Sequence, residues 1–376
     1  MNDLQQLRFR DPARAEALGE AIHEVCSEIG RDPITLMHVC GSHEQAIARF
    51  GLRTGLPKNL DVIMGPGCPV CITDLPEVDE GVALALQGVK VCTYGDMLRV
   101  PGTSLSLNDA MARGGNVAVV YSPSQAIEIA RKTEEQVVFF ATGFETTAVT
   151  TAAALLAGDV PENFSILSAH KYIPPAMEIV ATMPGSRIEG FLAAGHAAAI
   201  TGSGLFEPLA RKHRMPIVVA GFEPLDILAA VLELLVLVRD GRNEVANLYP
   251  RCVSAQGNLP AQKILWQVFE LEQGWWRGIA DIPDGNLRLR DTYAHLDARK
   301  RFDIDIKKLW SHAPHELAAQ CVCGDIMAGK CQPTDCGLYG TKCTPDAPVG
   351  ACMVSSEGAC RIWQQYGGRP DLSEVG

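Results

Sequence analysis

Residues 34–44 read ITLMHVCGSHE and residues 61–71 read DVIMGPGCPVC, two short β-branched runs that each break off in a turn carrying cysteine. An apolar run of this length, cut off by Gly, Ser or Pro, reads as a buried strand rather than a helix. The pattern recurs in VKVCTY (89–94), NVAVVY (116–121), QVVFFA (136–141), FSILSA (164–169), GFLAA (190–194) and PIVVA (216–220), with helical stretches between the runs. Strands that alternate with helices predict an α/β fold of parallel sheets covered by helices. GFETTA (143–148) opens a new helix, so a second group of strands is expected to begin near Thr142. The expected organisation is two Rossmann-like parallel-sheet halves of similar size, one over residues 1–141 and one over 142–245.

From residue 246 the character changes. Trp266, Trp275, Trp276 and Trp310 gather there, helical and irregular stretches are expected in place of strands, and seven cysteines lie between Cys321 and Cys360. That tail is rich in Gly and Pro and poor in apolar residues, so a metal or cluster is expected to hold it together as a third domain over 246–376.

Composition excludes several classes. A net charge of -11 and a pI near 5.3 oppose a nucleic-acid partner, which needs Lys and Arg to displace counterions. The longest apolar run, 227–238, is interrupted by Glu233 and falls short of the roughly 20 residues a bilayer requires, so it reads as a buried helix. The first residues, MNDLQQLRFRDPARAE, carry no apolar core of signal-peptide type, and a cytoplasmic location is expected. The chain has no GxxxxGK[ST] run, and Gly202-Ser203-Gly204 lacks the third glycine of a dinucleotide fingerprint. Thirteen cysteines in CxC and CxxC spacings point to metal binding and thiol redox chemistry before structural disulfides.

In parallel sheets, ligands bind beyond the carboxyl ends of strands. There the chain places Cys40-Gly41-Ser42-His43-Glu44, a set able to hold a soft metal or activate a thiolate. Taken alone, Cys40 reads equally well as a small buried hydrophobe and His43 as a polar helix start. Cys68 and Cys71 form a CxxC in a Gly/Pro turn, with Asp74 placed to cap the next helix and a helix amino terminus favouring the thiolate. Structural zinc would need a second such pair nearby. Thr142–Thr147 is suited to an anion or small polar ligand, with Glu145 arguing against a simple phosphate. His170 and His196 follow two strands and are expected to face one cleft. Cys26 and Cys92 read as buried fillers, while Cys252 has no assignment. Four of the seven tail thiols suffice for a 4Fe-4S cluster, and two of the others could form a redox pair.

CGSHE (40–44), GPGCPVC (65–71), YGDMLRVPG (94–102), GFETTA (143–148), SAHKYIPPAM (168–177) and CMVSSEGAC (352–360), in this order and spacing, resemble the HypD family of hydrogenase maturation proteins. The resemblance spans about residues 30–362. It implies that Cys40, Cys68 and Cys71 bind and handle iron together with a small chaperone, HypC, whose amino-terminal cysteine shares the metal. A cyanide carrier, HypE, and the carbamoyltransferase HypF would supply cyanide. Carbon monoxide would complete an Fe(CN)2CO unit passed on to the hydrogenase large subunit.

The resemblance also implies a C-terminal 4Fe-4S cluster in a setting similar to ferredoxin:thioredoxin reductase, with Cys321, Cys336, Cys343 and Cys360 as ligands. Cys323 and Cys352 are then the redox disulfide, and Cys331 is left without an assigned role. Joined to the strand-end reading, this makes Cys40, His43, Glu44, Cys68, Cys71, Glu145, His196, Cys323 and Cys352 the catalytic candidates. Ser42, Val149, Gln256 and the stretch GFLAAGHAAAITG depart from the usual family pattern, yet no Cys or His of the iron site is lost. Two other functions compete: an iron-sulfur protein-disulfide reductase whose cluster feeds the CxxC, and an ATPase using GFETTA, which the missing P-loop opposes.

Overall fold

A computed structural model describes residues 9–307 and 317–368, and Trp310 lies outside the described residues. Each of the expected runs is a strand: β1 (Ile34–His38), β2 (Leu60–Met64), β3 (Lys90–Thr93), β4 (Val117–Val119), β5 (Val137–Gly143), β6 (Phe164–Lys171), β7 (Gly190–Ala194) and β8 (Ile217–Ala220). Every residue of β1, β5, β6, β7 and β8 is buried, as helices on both faces of a parallel sheet require. Three more strands, β9 (Val245–Asn247), β10 (Phe269–Trp276) and β11 (Ala280–Leu289), complete two sheets.

The first sheet has the order β2-β1-β7-β8-β9 and is parallel throughout. The second has the order β10-β11-β6-β5-β3-β4, parallel from β4 to β6 with β11 and β10 added antiparallel. The chain therefore leaves the first sheet after β2, builds the second from β3 to β6, and returns at β7. The second strand group starts well before Thr142, and the boundary drawn between 141 and 142 falls inside β5. Membership of a sheet is decided by which edges pair across the whole fold, and locally the strand runs look alike.

Beyond residue 246, β10 and β11 form a hairpin carrying Trp275 and Trp276 where helical and irregular structure was expected. Glu270, Glu272 and Gln273 leave that stretch without the apolar run that marks the buried strands. Helix Pro224–Arg239 contains the apolar run 227–238 and packs with helix Pro12–Ile29 on the first sheet, burying Ile22, Val25, Ile227, Val231 and Leu234 over Leu36, Val62 and Leu192. Each such side chain contributes roughly 1.5–3 kcal/mol. Cys26 and Cys92 are buried core residues, as expected. Among the described residues no helix is long and apolar enough to cross a membrane.

Another core joins the two sheets to the tail, with Val39 and Met64, Val138 and Phe140, Trp276 of the hairpin, and Met327, Cys352 and Cys360. The tail is poor in apolar residues by itself, but it lends those it has, including Ile326, Leu338, Met353 and Trp363, to the body of the protein.

Candidate functional site

Because β2, β1, β7 and β8 are parallel neighbours, the residues that follow them leave the sheet at one edge. That edge gathers Cys40 after β1, the Gly65–Cys71 loop after β2, His196 after β7 and Phe222 after β8. The Gly41 N–H donates to the Gly67 carbonyl at 3.1 Å, so the two cysteine-bearing turns meet backbone to backbone. A Cβ on Gly67 would lie 2.2 Å from Cys40 N and 2.3 Å from Val39 C, so only glycine allows this approach. Gly67→Ala is expected to cost about 1–3 kcal/mol and to change the alkylation rate of Cys40. A urea midpoint and a Cys40 rate both equal to those of the unaltered protein would show that the turns can part freely.

Cys40 caps helix Gly41–Arg49 and is buried, with its Sγ 3.8 Å from His196 Nδ1. Burial, reinforced by the charge of Glu357, pushes the thiol up to about 12. It is therefore protonated at neutral pH and must release a proton to bind a soft metal. Burial lowers the pKa of His196 against the pull of Glu357 and Glu145, which keeps the imidazole neutral, so it can accept that proton once a bound metal has acidified the thiol.

Glu357 was not singled out by sequence reasoning, although it lies within CMVSSEGAC. It rests directly on Gly41, with the Ser42 hydroxyl 3.5 Å from its Oε1, and burial raises its pKa. The available signal was a polar Ser355-Ser356-Glu357 stretch set between two buried cysteines. Ser355 in turn donates to Asp96 Oδ2 at 3.1 Å, which ties the tail to YGDMLRVPG.

Glu145 begins helix Glu145–Leu156, and its Oε1 accepts the Ile173 N–H at 3.0 Å. Its Oε2 is buried with no hydrogen-bond partner among the described residues. Burial pushes the carboxyl up to about 7 against those backbone bonds and the charge of His196.

The other strand-end candidates have holding roles. His43 places Nε2 3.0 Å from the Gly221 carbonyl, its ring lies 4.9 Å from that of Phe222, and burial pushes it down to about 3. Glu44 accepts from Arg53 at 2.9 and 2.7 Å, pairs with His38 Nε2 at 2.8 Å and accepts the Trp363 indole N–H at 2.6 Å. With its lone pairs filled, Glu44 clamps the helix to the tail instead of serving Cys40 as a base. His170 does not share the cleft of His196. It lies inside β6, fully buried, 3.0 Å from the Thr151 hydroxyl and edge-on to Phe269, because β6 runs on to Lys171.

Cys68 and Cys71 are joined to each other as a disulfide. The thiolate expected at the helix start, and the three-thiol iron site formed with Cys40, therefore apply only once this bond is reduced. The pair sits on the tail: Cys71 Sγ is 4.0 Å from the carbonyl of Ala351, the residue before Cys352. Asp74 caps the next helix, where its N–H donates to Glu77 Oε2 at 2.8 Å.

In the tail, Cys321 Sγ and Cys323 Sγ are 3.2 Å apart, and hydrogen bonds from Cys321, Cys352 and Cys360 hold the Cys323 thiol well below its usual range. Cys343 accepts the Val349 N–H at 3.3 Å. Among the described residues no three His, Cys, Asp or Glu side chains converge closely enough to hold a single metal ion. A cubane asks for something else, four thiolates placed around it with one on each iron. The tail supplies soft donors in the number a cluster needs, with Cys336, Cys343 and Cys360 buried in one core and Cys321 packed against it, so in kind and number the residues fit a 4Fe-4S cluster. Cys331 lines a small cavity with Glu44, Arg53 and Trp363, and Cys252 is exposed.

Comparison with known proteins finds relatives over nearly the whole chain. Residues 13–367 match the family described as HypD, hydrogenase formation hypA family. The chain is 42% identical over 365 residues to a putative hydrogenase expression/formation protein of Methanocaldococcus jannaschii, covering 96% of this chain and 99% of that one. It is 42% identical over 371 residues to the hydrogenase maturation factor HypD2 of Bradyrhizobium diazoefficiens, covering 96% of both. With the hydrogenase maturation factor HypD of Rhizobium leguminosarum bv. viciae it shares 44% identity over 343 residues, 88% of each chain. This protein belongs to the HypD family of hydrogenase maturation factors.

Proposed function

We propose that this protein is a cytoplasmic scaffold on which iron, held at Cys40 with a HypC-type chaperone, receives cyanide from a HypE-type carrier served by HypF. Carbon monoxide completes the Fe(CN)2CO unit destined for the large subunit of a NiFe hydrogenase. One observation carries the reading: Cys71 lies against Ala351, next to Cys352, while Gly67 lies against Cys40, so contacts run unbroken from the tail thiols to the buried Cys40. Iron is the cargo here, taken by Cys40 as its proton passes to His196.

The disulfide must open before Cys68 and Cys71 can share that iron. A thiolate of the Cys323/Cys352 pair attacks one sulfur of Cys68–Cys71 and expels the other as a thiolate, which takes a proton. The second tail thiol then attacks the mixed disulfide, leaving Cys68 and Cys71 as two thiols and Cys323–Cys352 as the new disulfide. Two electrons and two protons have moved, and two single-electron steps from an external low-potential donor restore the tail pair. A bound 4Fe-4S cluster supplies such single electrons at low potential.

Anaerobic purification with a HypC-type partner, followed by infrared spectroscopy of metal-bound cyanide and carbon monoxide and by iron analysis, tests this reading. The unaltered protein is expected to show both bands, and Cys40→Ala to lose them while keeping the cluster iron. Cluster iron without bands in the unaltered protein, together with turnover of a protein disulfide, would instead identify a protein-disulfide reductase, a reading that the oxidised Cys68–Cys71 pair beside the tail thiols also supports. Unchanged cyanide transfer by a Cys323→Ser/Cys352→Ser double variant would refute the relay.

A further inference from the structure

Arg277 has no part in the steps above, yet it sits where the two thiol pairs meet. It follows β10 at the tip of the hairpin, and its N–H donates at 3.0 Å to the carbonyl of Ile72, the residue after Cys71. The next residue, Gly278, has a φ of +70° and lies so close to Gly324 that a Cβ on Gly324 would come within 2.1 Å of Gly278 O. Gly324 follows Cys323. One short turn is thus fixed by its backbone to the CxxC on one side and to the tail cysteines on the other.

Among the described residues no carboxylate is ion-paired with the side chain between these anchors. Nη1 of Arg277 is buried and has no hydrogen-bond partner among the described residues. Burial lowers the pKa of the guanidinium, and the thiols of Cys323, Cys321 and Cys352 and, behind them, Asp74 act to raise it. An arginine remains charged under such conditions. A buried N–H left unsatisfied costs about 1–3 kcal/mol, which a fold tolerates where the group has another use.

We propose that Arg277 is the fixed counter-charge of the thiol junction, a positioning residue whose guanidinium favours the reduced, more negative state of the tail cluster and of the Cys323/Cys352 pair. Resting on the relay reading above, the proposal adds the group that makes reduction favourable at this place. Adding electrons to the tail adds negative charge in a buried region, where a nearby fixed opposite charge shifts an equilibrium by about tenfold. The guanidinium neither gains nor loses a proton in the process.

The test uses the full chain with its cluster, as unaltered protein, Arg277→Gln and Arg277→Lys. Two quantities are read: the cluster midpoint potential from an EPR-monitored redox titration, and the Cys323–Cys352 dithiol fraction across glutathione ratios by alkylation and peptide mass mapping. Arg277→Gln is expected to disfavour reduction about tenfold in each, which is about 30 mV for the two-electron thiol couple, and Arg277→Lys to restore most of the loss. If Gln and Lys both match the unaltered protein, or both shift in proportion to lost thermal stability, the proposal is overturned. If the Cys323–Cys352 bond never forms at any ratio while the Gln variant still shifts the cluster potential and Lys restores it, the relay reading fails and the role of Arg277 stands.

Discussion

Arg53→Met is expected to destabilise the folded protein by about 3–5 kcal/mol, because it leaves the Glu44 carboxylate charged, buried and without its cation. Glu44 is fully buried and the Arg53 side chain nearly so, and Arg53 also donates to the Val62 carbonyl at 3.0 Å. Burial acts to raise the Glu44 carboxyl, but the Arg53 charge and the His38 hydrogen bond outweigh it and hold the group well below the usual carboxylate range. The guanidinium also lies over the Trp363 ring, 5.5 Å from its centroid. The clamp thus ties β1, β2 and the helix after Cys40 to the tail helix Ala359–Tyr366, so its loss should free Trp363 and expose Cys360. Urea titration followed by tryptophan fluorescence measures the cost. The Arg53→Met/Glu44→Gln double variant should recover a large part of it, since no charge is then stranded. Lowering the pH should also shrink the cost in Arg53→Met, as Glu44 there can protonate. A cost below about 1 kcal/mol would mean that water, and not Arg53, satisfies the carboxylate.

Glu44 also shows where the sequence was legible and where it was not. The strands were readable because each is a compact apolar run cut by a turn, and the cysteines at their ends were readable because parallel strands discharge on one edge. The partners of Glu44 were not, since Arg53 is nine residues away and Trp363 lies 319 residues away in the tail. Glu357 escaped for the same reason: its meaning comes from Gly41, which only the folded tail brings within reach. His170 misled by appearance, standing near the end of a strand run as His196 does, but one strand continued through it and the other stopped short. The exchange of strands between sheets was equally hidden. Nothing in DVIMG or VKVCTY says that the chain changes sheet between them, because that choice is made by packing across the whole body.

The opposite titrations of His170 and Glu145 give the second large effect. Burial pushes His170 from its ordinary 6.5 down to about 3, so the folded state refuses a proton that the unfolded chain accepts. Its contribution is fully present above pH 6.5 and falls by about 1.4 kcal/mol per unit as the pH drops towards 3, on the order of 5 kcal/mol in all. Glu145 runs the other way. Its carboxyl is raised from 4.5 to about 7, so stability is greatest below pH 4.5 and about 3 kcal/mol is lost as the pH rises through 7. Urea titrations from pH 4.5 to 8 should show His170→Gln flattening the acid side of the profile and Glu145→Gln removing the decline towards neutrality. Curves for either variant that run parallel to the unaltered protein would remove that group from the account. His170 belongs to the interior, where its neutral imidazole bonds to Thr151 and packs edge-on to Phe269. Glu145 Oε2 has no hydrogen-bond partner among the described residues and its carboxyl feels the charge of His196, and the stability it gives up at neutral pH is the kind of local cost proteins accept at working sites. A Glu145→Gln variant that gains stability at pH 8 yet weakens the cyanide and carbon monoxide bands would join that cost to the chemistry at Cys40.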